Sequence, residues 1–134
     1  MRTMTTDPAS LSGFHQTLTM GRLRGEWSEL LAITCNDALG PTKNQVVSRY
    51  GVPKVAIVST GWYARARRAL GGEEPNVETH GSDDAKRQFA QLVDFVTGKD
   101  QGHCVIRADR YEIVVIVPVD WHQAAIRALG EGGP

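Results

Sequence analysis

The sequence predicts an α+β fold in which one small unit occurs twice in tandem, and two observations support this. The segment WYARARRALG, residues 62–71, returns as WHQAAIRALG at residues 121–130. In both copies the apolar residues fall at i, i+4, i+7 and i+8, which is typical of a helix facing a core. Two β-type runs precede each copy, QVVSRY with KVAIVS and HCVIRA with EIVVIVP. A fixed spacing between similar segments indicates a repeated structural unit.

Each half is predicted to run strand, helix, loop or short helix, hairpin, helix. The opening strands are the alternating runs HQTLTM and NVETH. The hairpins turn near Gly51 and Asp109, and Gly71 and Gly130 are placed to end the closing helices. The amphipathic helix after each opening strand has apolar residues at helical spacing. They are Leu23, Trp27, Leu30 and Leu31 in the first half, and Ala85, Phe89, Leu92, Val93 and Val96 in the second.

The domain boundaries follow from these elements. We predict a flexible N-terminal segment at 1–13, a first repeat at 14–71, a linker at 72–75, a second repeat at 76–130 and a tail at 131–134. A unit of this size is marginally stable by itself. We therefore expect the two repeats to share one core as an intramolecular pseudo-dimer. The alternative is one α+β domain with coincidental internal similarity.

Composition argues against several classes of protein. No stretch approaches the ~20 apolar residues that a membrane helix needs, and the N-terminus lacks the apolar region of a secretory signal. Cys35 and Cys104 form no CxxC motif and no disulfide framework of the secreted kind. These features predict a reduced, cytoplasmic protein with no membrane partner.

Charge is distributed unevenly although the formal net charge is zero. Residues 1–74 hold nine Lys/Arg against six Asp/Glu, which gives +3, and residues 75–134 hold six against nine, which gives −3. Halves of opposite charge indicate that the two halves use different partners.

Two segments of the first half resemble the DNA-binding module of the Phd/YefM antitoxins. RLRGEWSELL, residues 22–31, is similar to the opening helix of that family, and VVSRYGVPKVAIVSTGWY is similar to its hairpin. In the second half SDDAKRQFAQLVDFV, VIR and VVIVPVDW match more weakly, and Asp109 with Arg110 replaces the glycine turn. The resemblance covers residues 14–70 well and 76–129 moderately, and depends on the order and spacing of the segments.

The resemblance implies a mixed sheet with flanking helices, dimerisation through the module and binding of the dimer to operator DNA. Members of the family usually add a C-terminal segment that neutralises a toxin. This sequence departs from that plan, because it holds two YefM-like β-α-(α)-β-β-α units and only EGGP follows Gly130.

Basic residues of the first half are the leading candidates for DNA contact. We place Arg22 and Arg24 in the first turn of the opening helix, where cations oppose the helix dipole and helix N–H groups attract phosphate. Arg49 beside the hairpin turn and Lys43 in the long loop could add phosphate contacts. The alternative for all four is a solvated surface charge. For Arg65, Arg67 and Arg68 that alternative is the preferred interpretation.

The second half is a weaker candidate for DNA binding. Asp84 stands where the first half has Arg22, and Lys86 stands where it has Arg24, with Arg87 partly compensating. Ser82 and Asp83 are predicted to cap this helix. Lys86 and Arg87 are therefore secondary DNA-binding candidates.

No catalytic or metal-binding constellation is predicted. The four histidines show no HExxH or CxxC…H spacing. His80 with Asp83 and Asp84 is better explained as a solvated turn than as a metal site. His103 and Cys104 are adjacent in a strand and so point to opposite faces. We expect a non-enzymatic protein without a cofactor.

The sequence favours a sequence-specific DNA-binding regulator or repressor of Phd/YefM antitoxin type. Its expected partners are operator DNA, a second copy of the chain and a cognate toxin or another protein. The alternative is a protein-interaction adaptor or assembly subunit that uses the duplicated fold without binding DNA.

Overall fold

The computed structural model describes residues 17–35, 44–99 and 101–130, and these form a mixed six-stranded sheet with helices on both faces. The first half contains β1 (Thr17–Thr19), α1 (Met20–Gly25), α2 (Trp27–Thr34), β2 (Gln45–Arg49), β3 (Val52–Ser59) and α3 (Thr60–Leu70). The second contains β4 (Val77–Gly81), α4 (Ser82–Arg87), α5 (Phe89–Thr97), β5 (His103–Ala108), β6 (Tyr111–Pro118) and α6 (Val119–Leu129). The predicted α+β class and the repeated order of elements are confirmed.

The strand order is β1-β2-β3-β6-β5-β4, so the two halves meet at the centre of the sheet. In each half the opening strand is parallel to its neighbour and the hairpin is antiparallel. The central strands β3 and β6 are antiparallel, and Ile57 lies opposite Ile116, its counterpart 59 positions later. A residue paired with its own counterpart marks an approximate two-fold axis. The register shifts after Val47 and after Ile106 are also equivalent by this offset.

Both core layers contain side chains from both halves. On one face of the sheet the layer includes side chains of α1, α2, α4 and α5, and on the other it includes those of α3 and α6. Trp27 and Phe89, which are equivalent in the repeat, meet edge to face with ring centroids 6.0 Å apart. The indole N–H of Trp27 also donates to Ser82 Oγ at 2.9 Å, from one half to the other. The helices of each half are therefore buried partly against side chains of the other half.

The predicted amphipathic helix of each half is in fact two shorter helices. The breaks fall at Glu26 (φ −115°, ψ 23°) and at Gln88 (φ −108°, ψ 24°), which are equivalent positions. Gly25 weakens the helix before the first break. No glycine precedes the second, so local propensity does not explain both. The shared feature is the Trp27–Phe89 contact directly after the breaks, which indicates that packing across the axis fixes the bend.

The turns and helix ends agree with the sequence except at α4. Gly71 and Gly130 end α3 and α6 with positive φ, as predicted. The first hairpin turns at Tyr50 and Gly51, both with positive φ, and the second at Asp109. The cap prediction for α4 was wrong, because Ser82 is already helical and its hydroxyl bonds Trp27. In the first half Thr19 does cap α1, accepting from the Arg22 N–H at 3.1 Å.

Within the part of the chain that the structure describes, no helix has the length and apolar character needed to cross a membrane.

Candidate nucleic-acid interface

An open cleft of about 550 Å³ lies at one end of the sheet, where the start of α1 meets the β2–β3 turn. We call it the first cleft. Parallel pairing of β1 with β2 sets Thr19 beside Ser48 and so brings the helix start to the hairpin. The described residues that line the first cleft are Thr19, Met20, Arg24, Ser48, Arg49, Tyr50, Gly51 and Ala90. None of them is acidic.

Arg24 and Arg49, two of the predicted DNA-contact residues, are brought together in the first cleft, but their charges are used differently. The Arg49 guanidinium crosses to α5, where it donates to Asp94 Oδ1 at 2.8 Å and to the Ala90 carbonyl at 3.1 Å. Arg49 is therefore also a bridge between the halves. Arg24 has no ion-pair or hydrogen-bond partner within residues 17–35, 44–99 and 101–130, so its charge is open to a ligand.

The short length of α1 changes the predicted setting of Arg22 and Arg24. The break at Glu26 limits the helix to six residues, so both arginines lie in its last turn. Arg22 is also in the first turn as predicted, since its N–H is capped by Thr19. A cation near a helix C-terminus is favoured by the dipole, and Arg24 has that position at the end of α1. Arg22 is more than half exposed and forms an ion pair with Glu26 at 2.8 Å. Lys43 lies outside the described residues.

The second half has an equivalent cleft of about 620 Å³ with a different charge pattern. We call it the second cleft. Its described lining includes three carboxylates and two guanidinium groups, from Asp83, Asp84, Asp109, Arg87 and Arg107. Arg87 is paired with Asp84. The predicted Lys86 is exposed and is not among the lining residues.

The two clefts lie at opposite ends of the central strand pair. Val52 and Tyr111 begin β3 and β6, each five residues from the Ile57–Ile116 pair. At ~3.4 Å per residue, the hairpin ends are separated by ~34 Å along the strands. Helices α1 and α4 pack on the same face of the sheet, so a single long ligand could meet both clefts.

The α3/α6 face holds two equivalent polar pairs that link the halves. The Tyr63 hydroxyl lies 2.6 Å from His103 Nδ1, and His122 Nε2 lies 3.1 Å from Asn44 Nδ2. Burial, followed by the charge of Arg67, lowers the pKa of His103 to about 4, so the ring is neutral near pH 7. His103 also stacks edge to face on Trp121, with ring centroids 4.9 Å apart. These contacts make this histidine part of the packing between repeats.

The structure also brings together Glu78, His80 and Cys104, which sequence reasoning did not associate. Their possible ligand atoms all lie within 4.8 Å of one another. Burial, and then the negative charge of Glu78, raise the pKa of Cys104 to about 12. A nucleophilic cysteine needs a stabilised thiolate, so this group lacks the property that a cysteine hydrolase requires. His103 contacts the α3/α6 side whereas Cys104 packs on the opposite side, as predicted for neighbours in a strand.

Comparisons with protein-family models, with curated proteins and with solved structures found no match to this chain.

Proposed function

We propose that this protein is a sequence-specific DNA-binding transcriptional regulator, a repressor of Phd/YefM antitoxin type, in which two YefM-like repeats act as an intramolecular pseudo-dimer. The observation that carries the proposal is the first cleft, where Arg24 and Arg49 lie beside a hairpin turn and no described lining residue is acidic. DNA recognition requires such groups, since arginine binds phosphate and can bind a guanine edge bidentately.

The spacing of the two clefts supports a duplex as the ligand. Dimeric regulators bind half-sites about 34–36 Å apart, one helical turn of DNA. The hairpin ends of this chain are separated by ~34 Å along the strands. Two equivalent hairpin ends at that separation would therefore meet successive grooves on one side of the duplex.

Charge makes the proposed interface asymmetric. The three carboxylates of the second cleft would repel phosphate, and the charge of Arg87 is partly neutralised by Asp84. We therefore assign the main DNA contacts to Arg22, Arg24 and Arg49 and a smaller part to Lys86 and Arg87. Full reading of an operator would then use two chains, each contributing its basic half.

In this proposal the protein is not an enzyme, needs no cofactor for binding and acts on DNA in the cytoplasm. No described cluster supplies both an activated nucleophile and a base, since Cys104 is buried with a raised pKa and His103 faces away from it.

The test is fluorescence anisotropy on labelled DNA from upstream of the gene, across a series of salt concentrations. Phosphate contacts release counterions, so affinity should fall steeply with salt. Replacing Arg22 and Arg24 by Ala should cost about 1–3 kcal/mol per base-reading contact and flatten the salt dependence. The matched variant replaces Lys86 and Arg87 by Ala and should lose less. Wild-type protein without salt-sensitive binding would overturn the proposal.

A protein-interaction adaptor is the second candidate, and the hairpin ends favour it. Tyr50 is 96% exposed, Tyr111 68% and Val52 51%, which leaves apolar surface at both ends of the sheet. Exposed tyrosines are common contact residues in protein interfaces. Replacing Tyr111 by Ser separates the two functions, because Tyr111 is exposed and lies outside the lining of both clefts. An adaptor would lose partner binding, whereas DNA affinity should stay unchanged. A cognate toxin, if it binds here, would be displaced by the same substitution.

A further inference from the structure

The edge strand β4 and its neighbour β5 place three different metal-ligating groups on one face of the sheet. Glu78 and His80 are two residues apart and so project to the same side. Cys104 lies directly opposite Glu78 in the strand register. His80 Nε2 and Glu78 Oε1 are 3.0 Å apart, and with Cys104 Sγ they fall within 4.8 Å of one another. Strand geometry therefore holds the three groups together.

The chemistry of this ligand set matches one class of ion. Thiolate, imidazole and carboxylate bind zinc at about 2.3, 2.0–2.1 and 2.0–2.2 Å. Tetrahedral coordination at those lengths separates the ligand atoms by roughly 3.3–3.6 Å. The His80–Glu78 distance is already close to this, so small side-chain rotations would close the set around one ion. Cys104 is fully buried, whereas the side chain of Glu78 is 49% exposed, which leaves the outer position to water.

The first repeat has no such set. By the repeat offsets, Glu78, His80 and Cys104 correspond to Gln16, Leu18 and Gln45. Leu18 is 1% exposed and packs in the core. The second repeat has a polar ring in place of that leucine, and its β4 is exposed along nearly its whole length. Three departures from the repeat thus supply three ligands, two on the exposed strand β4 and one on the buried strand β5.

We propose that Glu78, His80 and Cys104 bind one divalent zinc ion, which clips the edge strand β4 to β5. On binding, the thiol of Cys104 releases its proton to water and the sulfur bonds to the metal, as metal binding to cysteine requires. His80 supplies a ring nitrogen and Glu78 a carboxylate oxygen. The expected consequence is a β4 that is more ordered with zinc than without it.

The probe is Co²⁺, which replaces zinc and gives a thiolate-to-metal charge-transfer band. The background is Cys35→Ser, because Cys35 is an exposed thiol that could bind cobalt by itself. We expect saturation at one cobalt per chain and displacement of the band by Zn²⁺. Cys104→Ser should abolish the band. Glu78→Gln and His80→Gln should each weaken binding by at least the ~10–100-fold that follows loss of an outer-shell partner, and Glu73→Gln, in the linker, should leave it unchanged.

Two measurements keep the proposal testable if Cys104→Ser disturbs the core. Glu78 and His80 reach the surface, so their variants decide the question in a folded protein. In the Cys35→Ser protein, the hydrogen-exchange rate of the β4 amides should fall when Zn²⁺ is added. A chelator should restore the rate measured without zinc. The proposal would be overturned if Cys35→Ser gave no thiolate-to-metal band. It would also be overturned if neither Glu78→Gln nor His80→Gln changed that band.

Discussion

The first and second clefts are built on equivalent backbone but carry different charges. In the first, Arg24 and Arg49 lie beside the Tyr50–Gly51 turn, and the described lining has no carboxylate. In the second, three aspartates accompany Arg87 and Arg107. Two ends of one sheet with equivalent backbone therefore differ in the charges that they present.

The equivalent positions that are most alike in the two halves lie in the core. Ile57 pairs with Ile116, Trp27 meets Phe89, and the helix breaks at Glu26 and Gln88 have nearly the same dihedral angles. Each of these lies at or near the axis, where a change in one half must fit the other. The clefts lie at the two ends of the sheet, and among their residues Arg49 also contacts the other half through Asp94 and the Ala90 carbonyl.

Separating the halves should produce the largest effect. Residues 1–72 expressed alone would leave β3 without its partner strand β6 and Trp27 without the Phe89 ring. The apolar surface that α5 and α6 cover would also be exposed. We expect an unfolded or self-dimerising product, measured by circular dichroism and size-exclusion chromatography. Adding residues 73–134 in trans should restore a compact complex. A stable, monomeric first half would contradict the shared core.

Much of the fold could be predicted because its signals are periodic. The apolar stripes of α3 and α6, the hairpins and the terminal glycines all depend on local spacing, and they were confirmed. The helix breaks and the role of Ser82 could not be predicted, because they arise from contacts between segments 55 or more residues apart. The N-terminal segment that was predicted to be flexible, the tail and Lys43 lie outside the described residues.

The candidate sites were less predictable than the fold. Arg24 and Arg49 could be selected from the sequence for their charge. The ion pair of Arg49 with Asp94 could not, because it forms only when α5 packs beside the hairpin. The sequence did not associate Cys104 with Glu78. Glu78 lies opposite Cys104 in the parallel register of β4 and β5. Strand register was therefore the signal that could have associated the two residues.

A smaller difference between the halves concerns acid stability. His103 in the second half corresponds to Asn44 in the first, and only the histidine can take up a proton. Its pKa is lowered from 6.5 to about 4 by burial. Above pH 6.5 the ring is neutral in the folded and unfolded chains, and this contribution to stability is fully present. As pH falls from 6.5 towards about 4, His103 takes up a proton in the unfolded chain before it does so in the folded chain. The free energy of unfolding therefore decreases by about 3 kcal/mol.

Urea unfolding across that pH range measures the effect of His103. The matched variant is His103→Asn, which gives the second half the residue of the first and removes the titrating group. Its stability should depend less on pH than that of the wild type. An unchanged pH profile in His103→Asn would assign the acid sensitivity to other groups.

The charge asymmetry of the two ends is tested most directly by exchanging one charge between α1 and α4, the helices beside the two clefts. Arg22 and Asp84 are equivalent in the repeat, so Arg22→Asp gives the first end the charge of the second, and Asp84→Arg does the reverse. In anisotropy titrations over a salt series, Arg22→Asp should weaken binding to upstream DNA, and Asp84→Arg should strengthen it and steepen the salt slope by about 1–2. Melting temperatures serve as the control for folding. Binding unaffected by either exchange, or weakened equally by both, would contradict a DNA interface centred on the first cleft.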